Sequence, residues 1–270
     1  MITYSFINLK GGVGKTTIST NTAYALALGG LRVLFIDNDK QGNASLFFGV
    51  KEKDITLSDI FLNPDMNIKR AIYKAQKQEN IQGCIDVIPA NMSLLPLNME
   101  HKNIISDKVS NKTFILKNAL KSVKNDYDIC IIDNAPDINF TVYNGLIATN
   151  QVIIVTNPDN YSESGALEMD KQFNNVLKER QLYDEDYNEN DPCNSFVLRG
   201  ALLNKYVSGS YSKMQSKYKF FHTNIKLAST YETNKRLLES IRTGKSMIEL
   251  SPRCTFSREI TRFVEELIYG

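Results

Sequence analysis

The sequence has little of what metal-cluster and disulfide-rich proteins need. Its 270 residues contain no tryptophan, two histidines and four cysteines. The cysteines are widely spaced and form no Cys-x-x-Cys pair: Cys84, Cys130, Cys193 and Cys254. We therefore expect neither a disulfide framework nor a zinc or iron–sulfur site.

Long apolar segments are also absent. The longest clean apolar run is about six residues, far below the ~20 that cross a bilayer. Residues 1–6 have neither the basic region nor the cleavage site of a secretory signal. Hydrophobic residues make up 42% and charged residues 23%, which are globular averages. These features predict a cytoplasmic protein.

The net charge is small, but basic and acidic residues are unevenly distributed along the chain. The net charge is only +2, with 32 basic and 30 acidic residues. Residues 205–262, however, carry twelve Lys or Arg and four Glu, a net charge of +8. This basic stretch indicates either a polyanionic partner or merely solvated helix faces.

Short apolar runs alternate with helical patterns along the whole chain. This alternation predicts an α/β fold, a single doubly wound and mainly parallel sheet with helices on both faces. We find no linker or internal repeat, so we expect one domain over residues 1–270. The predicted strands are residues 2–8, 32–37, 84–88, 129–133, 152–156 and 196–203, and the main helices follow residue 15 and lie near 113–124, 139–149, 162–180 and 231–243.

A glycine-rich turn joins the first strand to the first helix. Residues 10–17 read Lys-Gly-Gly-Val-Gly-Lys-Thr-Thr. Glycines let backbone N–H groups face a phosphate, and a helix N-terminus favours anions. Lys15 would reach the β- and γ-phosphates of a nucleotide, and Thr16 would ligate Mg²⁺. The strict phosphate-loop pattern has a glycine where Leu9 stands, and Lys10 adds a second lysine at the loop.

Carboxylates at two strand ends are candidates for the metal side of this site. Asp133 ends the strand at 129–133, as a Walker B aspartate does. Asp37 ends the strand at 32–37, and Asp39 follows two residues later. Since parallel strands end at the same sheet edge, these side chains are expected near the phosphates. The alternative is that they only form turns.

These motifs together resemble the ParA/MinD family of deviant Walker-A ATPases. The likeness covers nearly the whole chain, and its first motif is highly specific. Two positions depart from the family pattern: Lys40 replaces the switch proline, and Ala135 replaces the first Walker B proline. The matching segments are the KGGxGKTT signature at 10–17, the D-x-D-P-Q-G-N switch at 37–43, the Walker B region at 133–136, and residues 157–167 and 226–259.

The resemblance implies a role for each matching residue. Lys10 would be the signature lysine that reaches the opposite subunit's nucleotide in an ATP-sandwich dimer. Asp39 would orient the attacking water, so that Lys10, Lys15 and Asp39 form the catalytic set. Asp37, Asp133 and Thr16 would hold Mg²⁺ and its water. The implied ATP contacts are Lys10, Gly11, Gly12, Val13, Gly14, Lys15, Thr16 and Thr17, with Asn204 at the adenine.

Among the branches of the family, the sequence is most similar to the ParA/Soj-type partitioning ATPases. That branch implies an ATP-dependent homodimer that binds DNA non-specifically on the nucleoid and is stimulated by a ParB-like protein. The phosphate loop starts at residue 10, so no helix-turn-helix is expected before it. The DNA-binding candidates are Lys226, which aligns with a basic position in relatives, and Lys213, Lys217 and Lys219, which alternate with aromatic residues.

Two alternatives stay open at this stage. A MinD-like regulator would bind membrane through a basic amphipathic tail. Residues 257–270 do carry an apolar stripe, Ile260, Phe263, Val264 and Leu267, but their net charge is −1. Anionic lipid would repel that charge, so the stripe is expected to pack on the core and no membrane partner is expected. The other alternative is an ATP-binding scaffold with very slow hydrolysis, suggested by Lys40.

Overall fold

A computed structural model describes residues 1–76, 78–101, 111–158, 160–205, 219, 221–225 and 231–270. Within these residues, seven strands form one sheet in the order β3-β4-β2-β5-β1-β6-β7. All neighbouring strands are parallel except β3 with β4. The strands are Ile2–Ile7 (β1), Arg32–Asn38 (β2), Tyr73–Lys74 (β3), Cys84–Ile88 (β4), Ile129–Asn134 (β5), Gln151–Thr156 (β6) and Val197–Leu203 (β7).

Helices of very different length connect these strands. They are Lys15–Leu28 (α1), Asn43–Phe47 (α2), Leu57–Leu62 (α3), Leu94–Glu100 (α4), Ile115–Lys121 (α5), Phe140–Ile147 (α6), Asn160–Tyr183 (α7), Tyr231–Thr243 (α8), Met247–Leu250 (α9) and Thr255–Tyr269 (α10). Short 3-10 helices cover Ile68–Ala71 and Asn111–Phe114. Helix α1 ends at the predicted stop, where the Gly29 N–H donates to the Ala25 carbonyl.

The sheet is covered on both faces, because successive strand residues point to opposite sides. On β2, Phe35 belongs to the core that includes residues of α1 and α10, whereas Leu34 and Ile36 belong to the core under α3 and α5. All three side chains are fully buried. This burial on both faces explains why the central strands are apolar without alternation. The predicted doubly wound α/β fold is therefore confirmed.

The predicted apolar stripe lies on the face of the last helix that packs against the core. Ile260, Phe263 and Leu267 of α10 are buried, and Val264 is half-buried. The Phe263 ring packs edge-on against Phe6 of β1, with ring centroids 6.4 Å apart. The stripe is thus part of the core, as predicted. No helix in the described residues is both long and apolar enough to cross a membrane.

Some elements were not predicted because they are too short to show a period. Strand β3 has two residues, and α2 has five. Residues 219 and 221 also form backbone hydrogen bonds with the outer edge of β7, although they are not part of a strand. There the Ala201 N–H donates to the Lys219 carbonyl at 2.9 Å, and the Phe221 N–H donates to the Ala201 carbonyl at 3.1 Å.

Candidate functional site

The glycine-rich loop connects β1 to α1 at the carboxyl edge of the sheet. Gly12 and Gly14 have φ of +73° and +95°, a left-handed conformation that glycine adopts without steric cost. Gly14 is also the N-cap residue of α1, and it has no side chain that could accept a hydrogen bond from the N–H groups of the first turn. A helix start capped in this way leaves N–H donors and a positive dipole end for an anion.

The Lys15 amine lies inside this loop. The residue is 7% exposed, and its Nζ donates to the Asn8 carbonyl at 3.1 Å and to the Lys10 carbonyl at 3.4 Å. Burial lowers the Lys15 pKa, while the charges of Asp133 and Asp39 act in the opposite direction. A phosphate in the loop would offset the desolvation of this cation, which is the role predicted for Lys15.

Asp133 and Thr16 meet directly across the site. The Thr16 hydroxyl donates to Asp133 Oδ2 at 2.6 Å. The second oxygen, Oδ1, is buried and has no hydrogen-bond partner among the described residues. Burial raises the Asp133 pKa to about 6. An unsatisfied buried acceptor beside a threonine hydroxyl fits a hydrated Mg²⁺, which would supply both water donors and positive charge.

The described residues contain no group of three or more His, Cys, Asp or Glu side chains that could hold a metal ion. The protein at this site supplies one hydroxyl, from Thr16, and one open carboxylate oxygen, from Asp133. Magnesium in nucleotide sites typically takes its remaining ligands from water and phosphate oxygens. The small donor set therefore fits a metal that arrives with a nucleotide.

Asp37 is the neighbour of Asp133 in the register of β2 and β5. It is fully buried, and its oxygens accept hydrogen bonds from protein groups. Oδ2 accepts from the N–H and the hydroxyl of Ser45, each at 2.7 Å, and Oδ1 accepts from the Asp39 N–H at 3.2 Å. Burial and the nearby Asp133 charge raise the Asp37 pKa to about 7. The structure places Asp37 beside Asp133 and ties it to α2 through Ser45.

Asp39 lies in the turn that follows β2 and is half-buried. Its Oδ1 accepts from the Gln41 N–H at 3.0 Å, and its carbonyl accepts from the Gly42 N–H at 2.8 Å. Its charge acts on both Lys15 and Asp133. The structure thus brings Lys15, Thr16, Asp39 and Asp133 into one site.

Two asparagines make hydrogen bonds with the loop. Asn8 was not predicted from the sequence, and Asn204 was predicted to contact adenine. Asn8 is buried, donates from Nδ2 to the Val155 carbonyl at 2.9 Å and accepts from the Lys10 N–H at 2.9 Å. Asn204 donates from Nδ2 to the Val13 carbonyl at 2.6 Å. The predicted adenine residue is therefore next to the loop and bonded to its main chain.

Ser45 and Lys205 are further residues that the sequence did not identify. Ser45 comes eight residues after Asp37, and only the fold brings its hydroxyl to that carboxylate. Lys205 Nζ donates to the Gly12 carbonyl at 2.8 Å. Neither residue belongs to a recognisable motif, so no local signal marked them.

The predicted DNA-binding residues are covered only in part. Lys213, Lys217 and Lys226 lie outside the described residues. Lys219 is exposed at the sheet edge beside β7. Elsewhere in the basic C-terminal region, Arg258 and Arg262 are exposed one turn apart on α10, and Arg242 and Arg253 are also exposed.

Comparison with known proteins shows which proteins this chain is similar to. A family model described as AAA domain matches residues 1–185. The sporulation initiation inhibitor protein Soj of Bacillus subtilis (strain 168) is 32% identical over 248 residues, covering 91% of this chain and 90% of that protein. The chromosome partitioning protein ParA of Myxococcus xanthus (strain DK1622) is 33% identical over 160 residues, covering 58% of this chain and 53% of that protein.

Solved structures show the same fold. The septum site-determining protein MinD from Pyrococcus horikoshii OT3, solved with Mg-ADP, matches with a TM-score of 0.71 and 23% identity. The match covers 99% of this chain and 96% of that one.

Proposed function

Because the chain belongs to the ParA/MinD family of P-loop ATPases, we propose that it is a partitioning ATPase that works as an ATP-dependent, DNA-bound dimer. In this proposal the monomer binds Mg-ATP, two monomers close on their nucleotides, and the dimer holds DNA without sequence preference. A ParB-like protein bound to the cargo would stimulate hydrolysis and release the dimer.

One observation carries the nucleotide part of the proposal. The 2.6 Å hydrogen bond from Thr16 to Asp133 joins the phosphate loop to the Walker B strand, and it leaves one buried carboxylate oxygen without a partner. Mg²⁺ supplies charge neutralisation at the phosphates when it is bound. Thr16 and Asp133 would hold that ion and its water, and Lys15 would bind the β- and γ-phosphate oxygens.

The catalytic roles follow from what these side chains can offer. Phosphoryl transfer requires mainly positioning and stabilisation of negative charge. Asp39, close enough to act on Lys15 and Asp133, would hold and orient the attacking water. Lys10 is half-buried at the loop, and in the dimer it would add a positive charge at the partner's nucleotide.

The charge distribution supports DNA rather than membrane as the surface that the dimer binds. Residues 205–262 have a net charge of +8, and exposed lysines and arginines provide sequence-independent affinity for DNA phosphates. The apolar stripe of α10, which a membrane-binding tail would need, is instead buried in the core. We therefore favour DNA over the MinD-like alternative.

The decisive experiment compares binding of the purified protein to duplex DNA and to anionic vesicles. With Mg-ATP, we expect similar affinity for duplexes of unrelated sequence, and much weaker binding with ADP or no nucleotide. Log K should fall with log salt by about 0.9 per phosphate neutralised. Charge reversal at Lys213, Lys217, Lys219 and Lys226 should weaken binding equally on all sequences and leave basal ATP turnover unchanged.

The controls separate the parts of the proposal. Lys15→Ala, which removes the cation at the phosphates, should abolish ATP binding and with it ATP-dependent DNA binding. DNA binding that needs no ATP, or a strong preference for one operator sequence, would contradict the proposal. Sedimentation with vesicles but not with DNA would favour the MinD-like regulator. Binding without measurable turnover would favour the ATP-binding scaffold.

A further inference from the structure

The two residues that follow β7, Asn204 and Lys205, donate side-chain hydrogen bonds to the phosphate loop. Asn204 donates from Nδ2 to the Val13 carbonyl at 2.6 Å, and Lys205 donates from Nζ to the Gly12 carbonyl at 2.8 Å. The Asn204 N–H in turn donates to the Thr156 carbonyl at 2.7 Å, which fixes this segment to the end of β6. Adjacent loop carbonyls are therefore bonded by adjacent side chains of one anchored segment.

The loop packs closely against the Asn204 side chain. A Cβ atom on Gly14 would collide with Asn204 Nδ2. Asn204 is 8% exposed, so its amide lies within the packed interior. On the Lys205 side the contact is exposed, and the loop glycine that it bonds, Gly12, has open space around its missing side chain. The Gly12 carbonyl thus accepts a hydrogen bond from the Lys205 amine on the exposed side of the loop.

Lys205 adopts an unfavourable backbone conformation. Its φ is +53°, and Asn80 is the other non-glycine residue with positive φ in the described part of the chain. The left-handed region costs a residue with a Cβ about 1–2 kcal/mol. A glycine or asparagine would be less strained there. The feature that lysine provides and these residues lack is its side-chain amine.

We propose that Lys205 is a positioning residue that holds the phosphate loop in its nucleotide-binding conformation through the Gly12 carbonyl. Gly12 and Gly14 give the loop high conformational freedom, and a loop that is ordered before binding loses less entropy when the phosphates arrive. The amine also adds a positive charge at the Gly12 carbonyl of the loop. This inference rests on the proposed nucleotide binding and names a residue that sets its strength.

The test measures affinity directly. Calorimetry should give the dissociation constants of ADP and of a non-hydrolysable ATP analogue, each with Mg²⁺. Lys205→Asn tolerates positive φ but has no ammonium group, and we expect it to weaken both nucleotides about tenfold. Lys205→Arg keeps a cationic donor and should retain affinity within about threefold. At saturating ATP, kcat of Lys205→Asn should stay within about twofold of wild type, so that the loss appears in KM.

Two controls make the result specific. Lys69→Asn removes an exposed lysine whose Nζ makes a contact of the same 2.8 Å length, but to Asp126 and away from the loop, and it should leave affinity unchanged. Lys205→Gly removes backbone strain and the amine together, so it should melt no lower than wild type yet bind nucleotide as weakly as Lys205→Asn.

The outcomes are distinguishable from a failure of the proposed function. If wild type bound no nucleotide, nucleotide binding itself would be wrong. If wild type bound nucleotide and Lys205→Asn bound it equally well, only the positioning role would be overturned. A fall in kcat with unchanged affinity would also overturn it, because Lys205 would then act on the chemical step.

Discussion

At the scale of single residues, burial strongly raises the pKa values of two carboxyl groups in the site. Asp37 and Asp133 lie side by side in the register of neighbouring strands and have pKa values raised to about 7 and about 6. The unfolded chain would titrate such groups near 3.8. Between these limits the native state binds more protons than the unfolded state, so the free energy of unfolding falls as the pH rises.

The first prediction is that the nucleotide-free protein loses thermal stability as the pH rises from about 4 to about 7, the interval between the unfolded and the folded pKa values of these two carboxyl groups. Asp133→Asn should flatten this dependence and stabilise the protein at the upper pH by on the order of 2 kcal/mol, since asparagine carries no charge to bury. Melting curves across this pH range provide the measurement. The same variant should lose Mg²⁺-dependent nucleotide affinity. A steeper pH dependence in the variant would contradict the assigned direction.

The second residue-scale prediction concerns Asp39. Its side chain lies in the turn after β2 and accepts from the Gln41 N–H, and the hydrogen bonds of Lys15 with the loop and of Thr16 with Asp133 are made by other atoms. Asp39→Ala should therefore bind ATP with near-normal affinity but turn it over about 100-fold more slowly. Calorimetry and a phosphate-release assay measure the two effects separately. Turnover at the wild-type rate would remove Asp39 from the catalytic set.

At the scale of elements, the carboxyl ends of β2 and β5 are held together by side-chain amides on the face away from α1. Asn38 Nδ2 donates to Asn134 Oδ1 at 2.9 Å and to the Thr141 carbonyl of α6 at 3.0 Å. Helix α6 can approach this pair only because Gly145 has no side chain. A Cβ there would lie 2.8 Å from Asn38 Nδ2 and 2.9 Å from Asn134 Oδ1.

The third prediction follows from this close approach. Gly145→Ala should destabilise the protein by about 1–3 kcal/mol, because neither the buried amides nor the helix can move without breaking hydrogen bonds. Chemical denaturation gives the free energy of unfolding. Gly11→Ala is the matched control: a Cβ there has no neighbour within 4 Å, so its effect on unfolding should be within about 0.5 kcal/mol. Equal losses in both variants would show that close approach is not the cause.

The elements also show how far the sequence predicts this molecule. Lys15, Thr16 and Asp133 were predicted because each lies at a strand or helix end that its own neighbours define. The contacts of Ser45 with Asp37 and of Asn204 with Val13 were not, because they depend on how distant segments pack. Asn204 and Val13 are 191 positions apart. Strand β3, with two residues, is too short for its period to be read from sequence.

At the scale of the whole molecule, the proposed dimer depends on a residue that the monomer does not need. Lys10 is half-buried at the edge of the loop. Side-chain hydrogen bonds at the monomer's phosphate site are made by Lys15, Thr16, Asp133, Asn204 and Lys205. The fourth prediction is that Lys10→Ala binds ATP as a monomer but fails to dimerise. Light scattering with and without Mg-ATP measures the mass, and Lys69→Ala serves as an exposed-lysine control. An ATP-dependent dimer of normal stability in Lys10→Ala would contradict the role in trans.

The strand order has a consequence for how the chain is made. β1 lies between β5 and β6 in the sheet, so residue Ile2 pairs with Ile129 and Tyr4 with Gln151. Pairings between such distant segments form late, and translation delivers the partners one after another. On the ribosome, the nascent chain carries the glycine-rich loop long before the strands that hold it have left the exit tunnel. We therefore expect nucleotide capture to begin only after β7 and Asn204 have emerged, and a chain that is terminated before them to lack it.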